Sequence, residues 1–465
     1  MRFVFPGRSR RVRLHLDRPS PHRYHRVAPA LRIVGGLGLM ILLGTLLLLL
    51  PGVGASRPLT PIEALFTATS ALSVTGLSII TPGRDLTLAG QIILLVLIQV
   101  GGIGFMVIAV VTFRLLGRRV ALVDRIALRD SLGLIMPGAI LKLTQGVLVT
   151  VVTLEGIGAG LFWLLWRENL GDRRALLFAI FHAVSAFCNA GFDLFGAVPD
   201  QYPGGIPNDS LSLLVMGSLI FLGGLGIPVI ANLMTWYEER RFSLHTRMTL
   251  VVVVALVCAG GIGIFLAESR TGRVLVGEPW YRQILLGFFQ SVSARTAGFA
   301  GIQPFGDISP ASQVLLIILM FIGAAPASMG GGITTGTFAV LMVSIWAYAR
   351  GLPSVQVSGR TIGDVMIRKA AAVLTISLFL VLLATWLLLI THNVGLNVAL
   401  FEVVSAFATC GLTLDFTGRM NLFGEFIIIL MMFWGRLGAL TIIVAIAQQQ
   451  PIRLVEYPEE QILIG

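Results

Sequence analysis

The chain has 465 residues, of which 56% are hydrophobic and only 12% are charged. A soluble globular domain carries about 25% charged residues, so the composition excludes that class and places the chain in a lipid bilayer. The formal net charge of +11 does not indicate a nucleic-acid partner, because a basic balance in a membrane protein usually reflects its cytoplasmic segments.

The chain begins with a basic segment, residues 1–30, ahead of its first apolar run. Positive charge followed by an apolar run also occurs in signal peptides. The run over residues 31–50 is too long for a signal peptide, and residues 51–56 lack a small-residue cleavage pattern. We therefore predict a cytoplasmic N-terminal arm that touches lipid.

Eight apolar runs are long enough to predict membrane-crossing helices, which need about 20 apolar residues. They cover residues 31–50, 88–116, 140–166, 211–236, 248–267, 311–349, 366–390 and 422–447. If the connections alternate between two sides from a cytoplasmic N-terminus, 22 of the 34 basic residues lie on the cytoplasmic side. This excess predicts that the N- and C-termini are both cytoplasmic.

A short phrase recurs four times between these runs, at residues 70–77 (SALSVTGL), 185–192 (SAFCNAGF), 292–299 (VSARTAGF) and 405–412 (SAFATCGL). Each phrase places one glycine at the same position, and these are Gly76, Gly191, Gly298 and Gly411, spaced by 115, 107 and 113 residues. Non-helical backbone inside a membrane must be buried in protein or line a wet cavity. Four such segments therefore predict one shared cavity.

A short amphipathic helix of about ten residues is predicted before each phrase. The starts lie near Thr60-Pro61, Gly171-Asp172, Glu278-Pro279-Trp280 and residues 393–397. The negative ends of these pore helices would face the cavity and favour a cation. We predict an all-α integral membrane protein of eight transmembrane helices, arranged as four parallel M1-pore helix-M2 repeats with pseudo-fourfold symmetry around one ion pathway. The repeats cover residues 31–117, 118–240, 241–350 and 351–450, followed by a cytoplasmic tail over residues 451–465.

At these phrases the chain resembles the membrane subunit of the bacterial Trk/Ktr/HKT superfamily of K⁺ transporters, most closely the KtrB type. FHAVSAFCNAGFD at 181–193, ARTAGF at 294–299 and the closing residues 457–465 are similar to that family's sequences. The resemblance implies a selectivity filter whose backbone carbonyls bind K⁺. Its residues would be Val74, Thr75, Gly76, Leu77, Asn189, Ala190, Gly191, Phe192, Thr296, Ala297, Gly298, Phe299, Thr409, Cys410, Gly411 and Leu412. In relatives, a serine at the first filter glycine goes with Na⁺ preference, so Gly76 favours K⁺.

The apolar run over residues 311–349 contains a stretch that is a poor helix former. It comprises Gly323, Ala324, Ala325, Pro326, Ala327, Ser328, Met329, Gly330, Gly331 and Gly332. It predicts a broken helix, either as a kink that its neighbours tolerate or, as the resemblance implies, as a gate loop below the filter. Relatives commonly carry a lysine at the position of Thr334, so a gating role for that lysine does not transfer.

Arg436 lies within an otherwise apolar run, where an arginine costs about 2.5–3.5 kcal/mol on insertion scales and should face a cavity or a partner. It is either a structural arginine or, as the resemblance implies, an electrostatic barrier in the pathway. Glu155 is a candidate buried acid whose partner the sequence does not identify.

The sequence contains no zinc-protease, serine-hydrolase or ATP-binding motif, so we predict a transporter and not an enzyme. We expect K⁺ uptake across the bacterial cell membrane, driven by a membrane potential worth about 2.3 kcal/mol per charge per 100 mV. Na⁺ stimulation or symport stays open. The alternatives are a Na⁺-permeable or K⁺-binding subunit of another cation transporter complex and an organic-solute secondary transporter, which would predict inverted repeats.

The resemblance also implies partners: a second copy of the chain in a homodimer, and a cytoplasmic ring of KtrA-like nucleotide-binding regulatory subunits. The ring would dock on the basic cytoplasmic segments around residues 114–129, 240–247 and 350–369. The same basic belt could instead contact membrane lipid. Bound K⁺, with Na⁺ left open, is the only cofactor that we expect.

Overall fold

A computed structural model describes residues 29–104, 140–236, 240–271 and 274–438. Residues 1–28 of the predicted arm, the basic residues 114–129 and the C-terminal tail lie outside the described residues. The α-helices, in chain order, are α1 (Pro29–Leu48), α2 (Pro61–Ser73), α3 (Pro82–Asp85), α4 (Leu88–Ile103), α5 (Ile140–Leu170), α6 (Asp172–Phe187), α7 (Ser210–Gly224), α8 (Ile227–Met234), α9 (Leu244–Thr271), α10 (Trp280–Ser293), α11 (Pro310–Ile322), α12 (Thr335–Ala349), α13 (Asp364–Thr391), α14 (Leu396–Phe407) and α15 (Leu422–Leu437). Short 3₁₀ helices cover Phe195–Ala197, Phe305–Asp307 and Thr417–Arg419, and the strands Gln356–Val357 (β1) and Arg360–Thr361 (β2) form a hairpin.

Three helices in the described part are long and apolar enough to cross a membrane. The qualifying stretches are Leu148–Leu170 in α5, Leu244–Arg270 in α9 and Asp364–Thr391 in α13. The pair α7 and α8 passes the same test as one broken span, and α1, α4, α11, α12 and α14 provide shorter apolar helices. The number of eight transmembrane helices stays a prediction.

The apolar run over residues 211–236 does not form one continuous helix, which corrects the expectation from hydropathy. Helices α7 and α8 meet at an angle of 98°. Gly226 adopts a φ of +87° between them, and Pro228 lies in the first turn of α8. Glycine supplies the positive φ, and proline cannot continue the hydrogen bonding of α7. Hydropathy misses the bend because all these residues are apolar.

Four helices immediately precede the glycine phrases, at the predicted places. They are α2, α6, α10 and α14, with 13, 16, 14 and 12 residues, slightly longer than expected. The start of α2 has the chemistry that its sequence predicts. Thr60 and Glu63 form a reciprocal capping box, and Pro61 occupies the first helical turn. The last turns of all four pore helices are buried, except that Val292 in α10 is partly exposed.

Contacts between consecutive parts of the chain form a closed ring. Helix α4 packs on α6, α7 on α10, α11 on α14, and α15 returns to α2. In each pair, the helix that follows one glycine phrase contacts the pore helix of the next phrase. The ring therefore holds the four pore helices around a common centre.

Glycines in α4, α7 and α15 let each of these helices pack closely on the pore helix of its own part of the chain. A Cβ on Gly101, Gly223 or Gly435 would collide with the backbone carbonyl of Leu72, Phe187 or Phe407, respectively. Each of those carbonyls lies in the last turn of the pore helix from the same part of the chain. In α9, a Cβ on Gly260 or Gly261 would likewise collide with Ser291 or Phe288 of α10, as expected from small residues in membrane helices.

We predict that Gly101→Ala destabilises the protein by about 1–3 kcal/mol, because its Cβ would overpack against the end of α2. Gly156 in α5 has open space where a Cβ would go. Gly156→Ala should therefore leave stability unchanged or raise it, since alanine favours a helix by about 1 kcal/mol. The thermal midpoints of the two purified variants test this, and equal shifts would contradict it.

Candidate functional site

Each glycine phrase leaves its pore helix through the same unusual backbone conformation. The first left-handed residues are Val74, Asn189, Thr296 and Thr409, with φ values of 51°, 57°, 86° and 51°. The four phrase glycines follow two residues later, with φ values of 90°, 68°, 76° and 97°. A left-handed conformation at a residue other than glycine costs about 1–3 kcal/mol and persists only where its surroundings hold it. Its recurrence at four equivalent positions indicates that the four phrases share one backbone conformation, which the surrounding protein stabilises.

The four phrases lie side by side in one ring. A Cβ on Gly76 would collide with the carbonyl oxygen of Ala190, and a Cβ on Gly191 would lie 2.7 Å from that of Ala297. The series continues from Gly298 to the Cys410 oxygen and closes from Gly411 to the Thr75 oxygen. The structure thus brings all four predicted filter segments together. Each glycine has no room for a side chain beside the next segment.

Serine side chains fasten each segment to its pore helix. Ser70 Oγ accepts a hydrogen bond from Gly76 N, and Ser405 Oγ accepts one from Gly411 N, both at 3.0 Å. Ser185 Oγ donates to the Phe192 carbonyl at 2.8 Å. In the third segment Ser293 Oγ donates to the Phe299 carbonyl at 2.6 Å. This serine lies one residue nearer to its glycine than the others do, so the third repeat is shifted by one position.

A polar contact links the second and third segments. The Asn189 amide lies 3.2 Å from Thr296 Oγ1. The hydrogen-bonding pattern assigns the amide nitrogen towards the carbonyls of Ala186 and Ile220, each at 3.1 Å, so that its oxygen accepts from Thr296. Both side chains are fully buried. The contact fixes two neighbouring segments relative to each other.

The helix break predicted within residues 311–349 is present. Helix α11 ends at Ile322 and α12 begins at Thr335, so the predicted gate residues form a loop between them. A Cβ on Gly330 would collide with Thr296 Oγ1, and one on Gly331 would lie 2.7 Å from Thr409 Oγ1. The loop therefore lies directly against two segments of the ring. Whether it gates the pathway stays a prediction.

The loop is hydrogen-bonded to the bend between α7 and α8. Ala325 N donates to the Gly224 carbonyl at 3.1 Å, and Met329 N donates to the Gly223 carbonyl at 3.4 Å. Ile227 N returns a bond to the Ala327 carbonyl at 3.0 Å. The bend that hydropathy missed thus supplies backbone partners to the loop. Thr334 caps the following helix, since its side chain accepts a bond from Thr337 N.

The guanidinium of Arg436 spans the end of α4 and the loop. Nη1 donates to the Met329 carbonyl, and Nη2 donates to the Gly101 carbonyl and, at 3.4 Å, to that of Gly102. The partners of the predicted barrier residue are therefore backbone carbonyls from two other parts of the chain. Its positive charge lies beside the loop that contacts the ring.

The buried acid Glu155 has a defined partner. Gln99 Nε2 donates to both carboxylate oxygens, at 3.1 and 3.0 Å, and Cys188 Sγ lies 3.7 Å from one of them. Gln99 lies in α4, Glu155 in α5, and Cys188 is the C-cap of α6. The cluster joins three helices behind the second segment, and its geometry supports a structural role.

Sequence reasoning missed a second buried arginine, Arg295, within the third phrase itself. Its side chain is 6% exposed, and the guanidinium donates to the Val253 carbonyl at 3.4 Å and to the Gly323 carbonyl at 3.2 Å. Gly323 is the C-cap of α11, where the loop begins. The signal was available in the sequence, because the other three phrases have a small residue at this position: Ser73, Cys188 and Ala408.

Comparison of the sequence with known proteins identifies the family of the chain. The model of the TrkH family, described as cation transport protein, matches residues 37–453. The chain belongs to this family. It is 34% identical to the potassium/sodium uptake protein NtpJ of Enterococcus hirae, over 95% of this chain and 98% of that protein. It is also 34% identical to the Ktr system potassium uptake protein B of Bacillus subtilis, over 97% of this chain and 100% of that protein.

The fold of a solved TrkH-family structure is similar as well. The crystal structure of the potassium transporter TrkH from Vibrio parahaemolyticus matches with a TM-score of 0.72 and 18% identity, over 93% of this chain and 87% of that one. The chain is therefore a multi-pass helical membrane protein of the Trk/Ktr superfamily, of the KtrB type. TrkH is a family of cation transporters and not of enzymes.

An ion pair between Arg57 and Glu63, at the start of α2, has a pH-dependent effect on stability. Hydrogen bonds from Arg57 to both oxygens of Glu63 lower the pKa of that carboxyl from 4.5 to about 2. A lowered pKa in the folded state stabilises the protein above pH 4.5, and this stabilisation is lost as the pH falls towards 2. We predict that Glu63→Gln lowers the thermal midpoint at pH 7 and that its difference from wild type narrows on acidification. Arg57→Gln should show the same pH dependence of the thermal midpoint. A difference in thermal midpoint from wild type that does not change with pH would contradict the assignment of this ion pair.

Proposed function

We propose that this TrkH-family protein takes up K⁺ across the bacterial cell membrane through the ring of four glycine segments. The observation that carries the proposal is the closed series of contacts from Gly76 through Gly191 and Gly298 to Gly411 and back. The names of the relatives support the same ion, since they are potassium uptake proteins.

The ring has the chemistry that a dehydrated cation needs. The carbonyls of Thr75, Ala190, Ala297 and Cys410 precede the four glycines, and carbonyl oxygens can replace the hydration shell of an ion. The pore helices end at these segments, so their partially negative ends favour positive charge there. We infer that the sixteen predicted filter residues act as one selectivity filter.

We propose a pseudo-fourfold transporter with eight membrane spans around this filter. The repeated backbone conformation of the segments and the cyclic packing of α2, α6, α10 and α14 support it. The positive-inside count of the sequence supports cytoplasmic termini.

The loop over residues 323–332 is proposed to gate the pathway, with Arg436 as an electrostatic barrier. Two observations support this role. The loop contacts two filter segments through Gly330 and Gly331, and Arg436 binds the loop carbonyl of Met329. Opening of the gate would break these contacts while the filter stays anchored to its pore helices.

The proposed driving force for K⁺ uptake is the membrane potential. Participation of Na⁺ in transport is a second proposal. The Enterococcus hirae relative is named a potassium/sodium uptake protein, which favours Na⁺ participation in transport. The alternatives of a subunit from another cation transporter complex and of an organic-solute transporter have no such support.

We further propose that the protein works as a homodimer on a cytoplasmic ring of KtrA-like regulatory subunits. Relatives named as parts of a Ktr system support a multi-component assembly. Basic residues at Arg240, Arg247 and Arg350, with the β1–β2 hairpin beside α12 and α13, would provide the docking face. Acidic lipid is the competing partner of this face.

The test is uptake of ⁸⁶Rb⁺ into proteoliposomes that contain the purified chain, with and without external Na⁺. We predict that Gly76→Ser lowers the discrimination against Na⁺ by about tenfold, because its side chain would displace the Ala190 carbonyl of the filter. Gly52→Ser is the matched control: Gly52 also has a positive φ, but a Cβ there meets nothing within 4 Å. Equal selectivity in both variants would refute the filter assignment.

Removal of the barrier charge provides a second test. We predict that Arg436→Gln raises ⁸⁶Rb⁺ flux by about tenfold, because about 1.4 kcal/mol of repulsion is lost while a side-chain donor is kept. Arg350→Gln serves as control, since Arg350 is the C-cap of α12 and lies over the Trp346 ring at 4.4 Å. An unchanged flux in a folded Arg436→Gln protein would mean that Arg436 is structural.

A further inference from the structure

In three pore helices, a buried polar side chain forms hydrogen bonds with residues that follow the phrase glycine in the chain. His182 Nε2 accepts from Leu194 N at 3.3 Å, and Gln290 Oε1 accepts from Gly301 N at 3.0 Å. The third is Glu402 in α14. These residues occupy equivalent places, nine residues before the glycine in α6 and α14 and eight in the shifted repeat of α10. At the equivalent place in α2, Thr67 Oγ1 has no hydrogen-bond partner within the described residues.

Glu402 makes the most extensive of these contacts. Its side chain is fully buried, and Oε2 accepts from Thr413 Oγ1 at 2.7 Å while Oε1 accepts from Thr417 Oγ1. Thr413 Oγ1 also accepts from Phe416 N at 3.2 Å. One carboxyl group therefore holds both ends of the turn over residues 413–417. His182 and Gln290 each hold their segment through a single backbone N–H.

This turn connects the filter to the neighbouring repeat. Thr413 is the second residue after Gly411, and Asp415, inside the turn, has a φ of +58°. A Cβ on Gly306, in the segment that follows the third phrase, would lie 2.8 Å from Asp415 Oδ2. A shift of the turn would therefore move the backbone after Gly411 and its contact with the third repeat.

We propose that Glu402 is a positioning residue for ion selectivity, whose carboxyl group fixes the fourth filter segment by holding the turn over residues 413–417. This inference rests on the proposed function. A buried carboxyl group must be satisfied by hydrogen bonds, and the two threonine hydroxyls provide them. The pairing therefore specifies one position for the turn, and with it the carbonyls around Gly411.

The experiment compares ⁸⁶Rb⁺ uptake, with and without competing Na⁺, for the full chain and its variants in proteoliposomes. Glu402→Ala removes both acceptors. Glu402→Gln keeps both contacts, because its amide oxygen accepts from one threonine and its NH₂ donates to the other hydroxyl. Val403→Ala is the matched control for a lost buried side chain in α14. Size-exclusion profiles and thermal midpoints check that each variant folds.

We expect Glu402→Ala to lower the Rb⁺ over Na⁺ discrimination by about tenfold, while Glu402→Gln and Val403→Ala stay close to wild type. If Glu402→Ala does not fold, the double variant Thr413→Val and Thr417→Val tests the same contacts from the other side. Unchanged selectivity in variants without these contacts would overturn the inference. So would a loss of selectivity in Glu402→Gln equal to that in Glu402→Ala. In both cases, Rb⁺ uptake by the wild-type protein still upholds the proposed function. Folded wild-type protein without any Rb⁺ uptake would instead contradict the proposed function.

Discussion

Backbone that leaves a helix inside a membrane protein must find its hydrogen bonds within the protein, because lipid offers none. Four segments of this chain face that constraint after α2, α6, α10 and α14. They meet it in one way: a serine of the pore helix binds the segment, two left-handed residues turn the chain, and the next segment covers the glycine. Each segment depends on its neighbour for its conformation, so the ring forms as a unit.

The same constraint accounts for the region beside the ring. The helix between residues 311 and 349 is broken, and the freed backbone of the loop is satisfied by Gly223, Gly224 and Ile227 at the bend of another helix. Two arginines also bind carbonyls of the loop: Arg295 donates a hydrogen bond to the Gly323 carbonyl, and Arg436 donates one to the Met329 carbonyl. The two guanidinium groups thus connect the glycine segments, the loop and the helix ends, and each of these hydrogen bonds goes to a backbone carbonyl. Hydrogen bonds to backbone carbonyls can be exchanged one for another, which suits the proposed movement of the loop against a fixed ring.

The sequence predicts the parts of this structure that repeat. Four glycines in register and the Thr60-Pro61 helix start were visible because capping and turn chemistry is local. The bend at Gly226 is not predicted from the sequence, since hydropathy does not distinguish a straight helix from a broken one. The partners of Glu155 and Arg436 come from distant positions along the chain, so no local pattern encodes them. Arg295 and Glu402 could have been found by the reasoning applied to Arg436, which is that an isolated charge in an apolar stretch needs a partner.

If the four glycine segments form one cation-binding ring, a bound ion can be located inside it. Crystals of the protein soaked with Tl⁺, an electron-dense substitute for K⁺, would show its position by anomalous scattering. We predict density inside the ring, coordinated by the carbonyls of Thr75, Ala190, Ala297 and Cys410, and its displacement by K⁺. An empty ring with Tl⁺ bound elsewhere in the protein would contradict the account.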